Sequence, residues 1–287
     1  MNIVSLIREY LPVVAKGVLM GICDIIPGVS GGTIAFITGI YSRLISAIAH
    51  ISPLFIRDLI CWDVPSMKTR LEEMDIIFLI TLAVGIGSAF LLISRIILFL
   101  LNTYPVQTNG FFLGLILASS ILLFAPLPRR YLGGFVFLFI GIIIGLGIVM
   151  ANPQALGHSY PILFITGFIA LCAMILPGIS GAYITLLFNQ YEFMLDAIRT
   201  LSLMDIGVYL TGGVIGILTF TRLLKYLLKY YHDMIIAFLT GLMLGTSKLL
   251  FDRATVSVPA GPDLLVFIVL GILVVGLFQV VQTRMSR

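Results

Sequence analysis

Charge is scarce in this 287-residue chain: Asp, Glu, Lys and Arg together make up 10% of it, while 60% is hydrophobic. A soluble domain carries about 25% charged residues, so a water-facing surface of ordinary polarity is excluded. Cysteine is scarce too. Cys23, Cys61 and Cys172 form neither a disulfide framework nor a metal-ligand spacing, and Cys23 and Cys172 sit in apolar runs as packing residues. His50, His158 and His232 are isolated from one another, and His158 and His232 read as solvated loop residues. There is no metal constellation, no cofactor signature and no Ser/His/Asp grouping. The first residues show no signal-peptide cleavage pattern. No low-complexity linker or separate soluble domain interrupts the chain; its longest polar stretch is roughly 57–75, and 152–161 is a short polar connection. The net charge of +4 is a signal of membrane orientation and not a nucleic-acid footprint. One integral membrane domain is expected over 1–287.

Long apolar runs are what the chain has in abundance. They cover 76–94, 110–125, 135–150, 206–220, 235–250 and 264–281. A span needs about 20 residues, so the shorter runs extend into polar flanks. Backbone polar groups in hydrocarbon must be satisfied within the segment, which makes these runs helices. The fold class is an all-α polytopic membrane protein.

Two apolar runs are interrupted by the same motif. Pro27-Gly28-Val29-Ser30-Gly31 returns 150 residues later as Pro177-Gly178-Ile179-Ser180-Gly181. The likeness continues at a shift of 127 residues. Segment 111–124 aligns with 238–251, with Phe111/Phe238, Gly114/Gly241, Leu115/Leu242, Ser120/Ser247 and Phe124/Phe251 identical. The same shift sets Arg95 on Arg222, each inside an apolar run, and Met74-Asp75-Ile76 is echoed by Met204-Asp205-Ile206. Repeat one is therefore about 1–150 and repeat two about 151–287, each a broken unit followed by three spans. Broken helices at matching positions of two halves are a pointer to a binding site.

The relative orientation of the halves follows from arm length and charge. The arms of the first broken unit read as 13–26 and 30–49. An arm of about 15 residues rises about 22 Å, short of the hydrocarbon core. Two short arms around a Pro-Gly break fit a re-entrant helical hairpin, which leaves three crossings per half and inverts the second repeat. With the N-terminus in the cytoplasm, Arg8, Lys16, Arg43, Arg57, Lys68, Arg70, Arg129, Arg130, Lys225, Lys229, Arg284 and Arg287 fall on the cytoplasmic side, and only Arg199, Lys248 and Arg253 lie toward the outside. That distribution obeys the positive-inside rule. If each broken unit crossed once, the rule would be violated. Both termini are expected in the cytoplasm.

The breaks offer chemistry for an anion. A helix start exposes unpaired N–H groups and partial positive charge, a ready site for phosphate or carboxylate. Ser30 and Ser180 stand where the second arms begin, as N-caps whose hydroxyls also reach an anion. Gly28, Gly31, Gly32, Gly178 and Gly181 allow a ligand close to the backbone. Thr33 adds a hydroxyl. Arg95 and Arg222 supply bidentate donors for phosphate; for Arg222 a snorkelling role near the cytoplasmic edge competes with binding. Asp24, Glu192 and Asp196 are the carboxylates that could carry protons in an apolar setting, or neutralise a nearby cation. Tyr41 and Tyr191 also align across the repeat and suit interfacial anchoring.

The string Asp24-Ile-Ile-Pro27-Gly28-Val-Ser30-Gly31-Gly32-Thr33, followed by Pro177-Gly178-Ile-Ser180-Gly181, resembles the bacterial polyprenyl-phosphate translocases over essentially the whole chain. The second copy has Ala182 and Tyr183 where the first has Gly32 and Thr33, so the two tips are not equivalent. The resemblance implies a lipid-carrier translocase in the bacterial inner membrane. Such a protein returns undecaprenyl phosphate from the outer to the cytoplasmic leaflet for reuse in peptidoglycan and other envelope glycans. It implies alternating access without catalysis, with the lipid phosphate and membrane lipids as partners of the residues above, and the carboxylates add protons as a partner to be coupled. Two rivals stand beside it. One is an undecaprenyl-pyrophosphate phosphatase, whose Pro-Gly-x-Ser-Arg-Ser-Gly motif has an Arg that both copies here lack. The other is a small-anion channel or carrier.

Overall fold

Apolar helices with few polar interruptions dictate the architecture. The computed structural model of the chain describes residues 3–26, 29–51, 64–127, 132–153, 156–256 and 261–285. Every regular element among the described residues is a helix: α1 Ile3–Ile25, α2 Gly31–Ile37, α3 Tyr41–Ala49, α4 Val64–Glu73, α5 Ile76–Leu92, α6 Ser94–Thr103, α7 Pro105–Phe124, α8 Leu132–Met150, α9 Tyr160–Ile175, α10 Gly181–Leu187, α11 Tyr191–Arg199, α12 Leu203–Tyr230, α13 His232–Thr246, α14 Lys248–Thr255 and α15 Pro262–Met285. Five helices are long and apolar enough to cross a membrane, and up to seven if each bent pair counts as one span. The chain is a multi-pass membrane protein.

The sequence repeat reappears in the element boundaries. Helices α2 and α10 have seven residues each, α3 and α11 nine each, and each pair starts 150 residues apart. At the shift of 127, α5 and α6 together match α12, and α7 matches α13 plus α14. The breaks fall differently in the two copies. Ser247 separates α13 from α14, where its hydroxyl donates to the Leu244 carbonyl at 2.6 Å, the kind of back-bonding that bends a helix. Its counterpart α7 is continuous.

The broken units differ from the sequence expectation in two ways. The first arm is longer, since α1 runs 23 residues. The second arm is not one helix: α2 and α3 meet at 118°. Gly39 causes the turn, with φ +72°, and Ile40 N donates to Ala35 O at 2.9 Å. This is a Schellman stop, which needs a residue in the left-handed region. In the second copy Asn189 takes that place at φ +55°, and Gln190 N donates to Thr185 O at 2.9 Å.

Contacts divide the chain into two compact units, each drawing on both sequence halves: residues 1–92, 152–176 and 180–231 in one, 93–151, 177–179 and 232–287 in the other. In the first unit α1 packs on α5, α9 on α12, and α3 on α12. In the second, α8 packs on α13 and α7 on α15. Small residues bring these backbones together. A Cβ on Gly17 would lie 2.5 Å from the Leu82 carbonyl oxygen, and one on Gly85 would collide with Val14 O. The repeat-related pair Gly167 and Gly212 seals α9 against α12 in the same way, meeting Tyr209 O and Phe164 O. In the second unit Gly141 faces the backbone around Phe238 and Gly241, while Gly271 faces that around Phe111 and Gly114. Close backbone approach through small residues is how helices associate where lipid removes the hydrophobic drive.

Candidate functional site

The first motif ends one helix and starts another within a few residues. Ile26 N donates to Cys23 O and Val29 N to Ile26 O, both at 3.1 Å. Ser30 then caps α2 from extended backbone, φ −118° and ψ 136°, with its hydroxyl accepting from Gly32 N at 3.1 Å. Pro27 and Gly28, the latter a candidate phosphate contact, lie outside the described residues. The first-turn amides of α2 are already in use. Gly31 N donates to the Asp24 carboxylate at 2.6 Å, Gly32 N to Ser30 Oγ, and Thr33 N to Ser30 O at 2.9 Å. Asp24 therefore occupies the place an anionic ligand would take. Gly31 leaves room for it, since a Cβ there would stand 2.5 Å from Asp24 Oδ2.

The same serine reaches the other half of the sequence. Ser30 Oγ donates toward Met174 O at 3.1 Å and Leu176 O at 3.2 Å. These carbonyls end α9 just before the second motif and have no amide from their own helix. Gly32 fits against that helix end because a Cβ on it would meet Ile175 O at 2.6 Å. Ser30 and Thr33 are fully buried, at 1% and 0% exposure. The sequence separations of 144 and 146 residues make this a contact that no local pattern could announce.

The second motif is built differently. Gly178 takes φ +87°, and a Cβ there would lie 2.7 Å from Thr246 Oγ1 and 2.9 Å from the Met243 Cα. Ser180 starts α10 from extended backbone, makes no side-chain cap bond and is buried. Met174 stands at the position that corresponds to Asp24, so this tip has no internal carboxylate. Gly181 packs under Ala170, its missing Cβ 2.8 Å from Ala170 O.

The arginines and remaining carboxylates stand apart from this cluster. Arg222 is exposed; its guanidinium donates to Ala49 O, the last carbonyl of α3, at 3.4 Å and to Ile51 O just past that helix at 2.8 Å, which complements the helix dipole. Lys225 Nζ sits 2.8 Å from His50 Nε2 beside it. Arg95 is exposed on α6. Glu192 and Asp196 are exposed on α11, one turn apart on one face. Tyr41 is no interfacial anchor: it is 2% exposed, stacks edge-on against Phe36 at 4.8 Å, and its hydroxyl has no partner. Tyr191 remains 39% exposed.

Several residues had no sequence signal. Lys16 Nζ donates to Thr38 O at 3.0 Å, which holds the Schellman turn to α1. Gln190 is fully buried and ties the turn after α10 to Gly157 O and His158 Nδ1, at 3.2 and 2.9 Å. His158 stacks on Phe193 at 4.4 Å, so it is more than a solvated loop residue. Among the described residues no group of three or more His, Cys, Asp or Glu could hold a metal ion.

A polytopic helical membrane protein with a doubled Pro-Gly-x-Ser-Gly motif shares these features with transporters whose helices are interrupted at matching positions. Residues 20–260 match the family described as undecaprenyl phosphate translocase-like. The chain belongs to this family. It is 42% identical over 238 residues to the polyprenyl-phosphate transporter of Vibrio cholerae, a stretch covering 83% of this chain and 76% of that relative. It is 29% identical over 281 residues to the polyprenyl-phosphate transporter of Staphylococcus aureus, covering 91% and 93% of the two chains. No solved structure matches significantly. Family and relatives are transporters by name, not enzymes.

Proposed function

We propose that this protein transports a polyprenyl phosphate across the bacterial inner membrane. It flips undecaprenyl phosphate from the outer to the cytoplasmic leaflet by alternating access. The relatives' names support the polyprenyl phosphate class. The observation that carries the site is the bond from Ser30 to the Met174 and Leu176 carbonyls, which joins the surroundings of the two motifs in one buried polar cluster. In this reading the halves are inverted repeats, the α2–α3 bend belongs to a re-entrant hairpin, and both termini face the cytoplasm. The 118° bend supports the hairpin.

The lipid phosphate displaces the Asp24 carboxylate from Gly31 N and takes the Ser30 hydroxyl, with the backbone at Gly28, Gly31, Gly32, Thr33, Gly178, Ser180 and Gly181 as the remaining lining. Arg95 and Arg222 supply guanidinium donors as the repeats rearrange, and Arg222 exchanges the carbonyls at the end of α3 for phosphate oxygens. Asp24, once displaced, is free to exchange a proton, with Glu192 and Asp196 as surface relays. The prenyl chain stays in the bilayer or along the protein's apolar faces.

Binding of undecaprenyl phosphate to purified protein tests the exchange. Asp24→Asn removes the resident negative charge and is expected to tighten binding about tenfold, while Ser30→Ala weakens it by a similar factor, each the size of one charge-assisted hydrogen bond. Weaker binding by Asp24→Asn would contradict displacement.

A further inference from the structure

The second broken unit forms an open-sided cavity of about 430 Å³ between α9, α10, α11 and α12, within the usual range for ligand pockets. Gly181 and Ala182 of the second motif line one wall; Met174, Leu195, Ile206 and Leu210 line the others. Among the described residues no charged side chain lines it. Three hydroxyls line it, on Thr185, Tyr191 and Tyr209, and those of Thr185 and Tyr209 are 2.7 Å apart. Thr185 Oγ1 spends its proton on Gly181 O at 2.9 Å, so Tyr209 must donate to Thr185. Both of those protons are consumed, which leaves the Tyr191 hydroxyl as the remaining side-chain donor among the described lining residues, without a cation to pair with an anion. Its chemistry suits hydrocarbon.

The first copy is closed where the second is open. Ala35 and Leu82 stand where the second copy has Thr185 and Tyr209, and they are 0% and 3% exposed. Tyr41 and Ile45, at 2% and 1%, correspond to Tyr191 and Leu195, at 39% and 41%. Helix α12 packs on α3 and covers that face. The opening is thus particular to the second hairpin and not a by-product of the repeated fold.

We propose that this cavity seats the first isoprene units of the lipid substrate, with the phosphate at the adjacent motif. The inference rests on the polyprenyl-phosphate reading and commits to a hydrocarbon occupant continuous with a head group bound beside Gly181. Burial of several branched CH₂ and CH₃ groups then contributes to affinity, independently of the head.

The test fills the cavity from two sides. Ala182 is exposed and Leu195 is 41% exposed, so Ala182→Trp and Leu195→Trp change the lining without crowding a buried core. Leu203→Trp, 78% exposed and outside the cavity, controls for surface bulk. Binding of undecaprenyl phosphate and of a tail-less probe, methyl phosphate, is measured by native mass spectrometry on folded protein of wild-type melting temperature. The expected result is a loss of about tenfold or more in undecaprenyl phosphate affinity for both cavity variants, with the control and methyl phosphate binding unchanged. Undecaprenyl phosphate affinity equal to wild type in both cavity variants overturns the seat while leaving the transport reading standing. Failure of wild type itself to bind undecaprenyl phosphate removes the transport reading and the seat together.

Discussion

The hydrogen bonds of three neighbouring residues show why the first motif reads Asp-x-x-Pro-Gly-x-Ser-Gly-Gly. Asp24 needs Gly31 without a side chain, Ser30 needs the α9 carbonyls within reach, and Gly32 needs a bare Cα against Ile175. The repeat-related position of Gly32 is Ala182, which is exposed, so one sequence position has opposite tolerance in the two copies. Gly32→Ala is expected to destabilise the protein by about 1–3 kcal/mol through overpacking, while Ala182→Gly changes melting in detergent only slightly; equal shifts would refute the packing account. Tyr41 makes a second residue-scale prediction. Its buried hydroxyl lacks a partner, and an unmet buried polar group costs about 1–3 kcal/mol. Tyr41→Phe should therefore raise the melting temperature or leave it unchanged, and a clear drop would mean that the hydroxyl is satisfied. The pair of motifs, the aligned arginines and the Ser30 cap were legible in the sequence because identical residues recur at fixed spacing, whereas Ser180 holds the N-cap position without a side-chain cap bond. The reach of Ser30 to Met174 was not, since it depends on tertiary approach over 144 residues; nor was the Asp24–Gly31 bond, which depends on how the break turns the chain back across seven residues. The capping of α3 by Arg222 was equally hidden: an arginine in an apolar run has the same sequence signature whether it holds a helix end or a ligand.

At the scale of elements, the repeat is written in boundaries as well as in residues. Paired lengths of seven and nine residues in both hairpins follow from stops at Gly39 and Asn189. Sequence reading expected one unbroken second arm because residues 30–49 are largely apolar and hold no proline, and that pattern does not distinguish a helix from two helices joined by a left-handed residue. The glycine in Thr38-Gly39-Ile40 was the available sign. A left-handed backbone costs a residue with a Cβ about 1 kcal/mol relative to glycine. Gly39→Ala should lower stability by about that amount, and Asn189→Gly should be neutral or mildly stabilising, both read by thermal unfolding. Small residues at Gly141, Gly241, Gly114 and Gly271 work the same way between helices. Gly241→Leu is expected to separate α8 from α13, because any Cβ there already collides with the Leu138 carbonyl, and to lower the yield of folded protein in detergent; normal yield and melting would show that the interface can yield.

At the scale of the whole molecule, neither compact unit is a sequence half. In one, α7 packs most extensively on α15 and α8 on α13, so each of these two helices lies against the second-copy counterpart of the other. Two copies that exchange partners in this way suit a transporter whose repeats alternate roles. The Ser30 contact places the corresponding exchange in the other unit, at the motif. Such a device is what the proposed carriage of a head group across the bilayer would use. The most direct measurement is leaflet-resolved uptake of labelled undecaprenyl phosphate by proteoliposomes containing wild type or Ser30→Ala. Wild type is expected to move the lipid between leaflets far faster than protein-free vesicles, and Ser30→Ala to slow it about tenfold or more, as loss of one preorganised hydrogen bond to the head does elsewhere. Movement by wild type no faster than in protein-free vesicles would contradict the transport claim, and undiminished movement by Ser30→Ala would remove the motif from it.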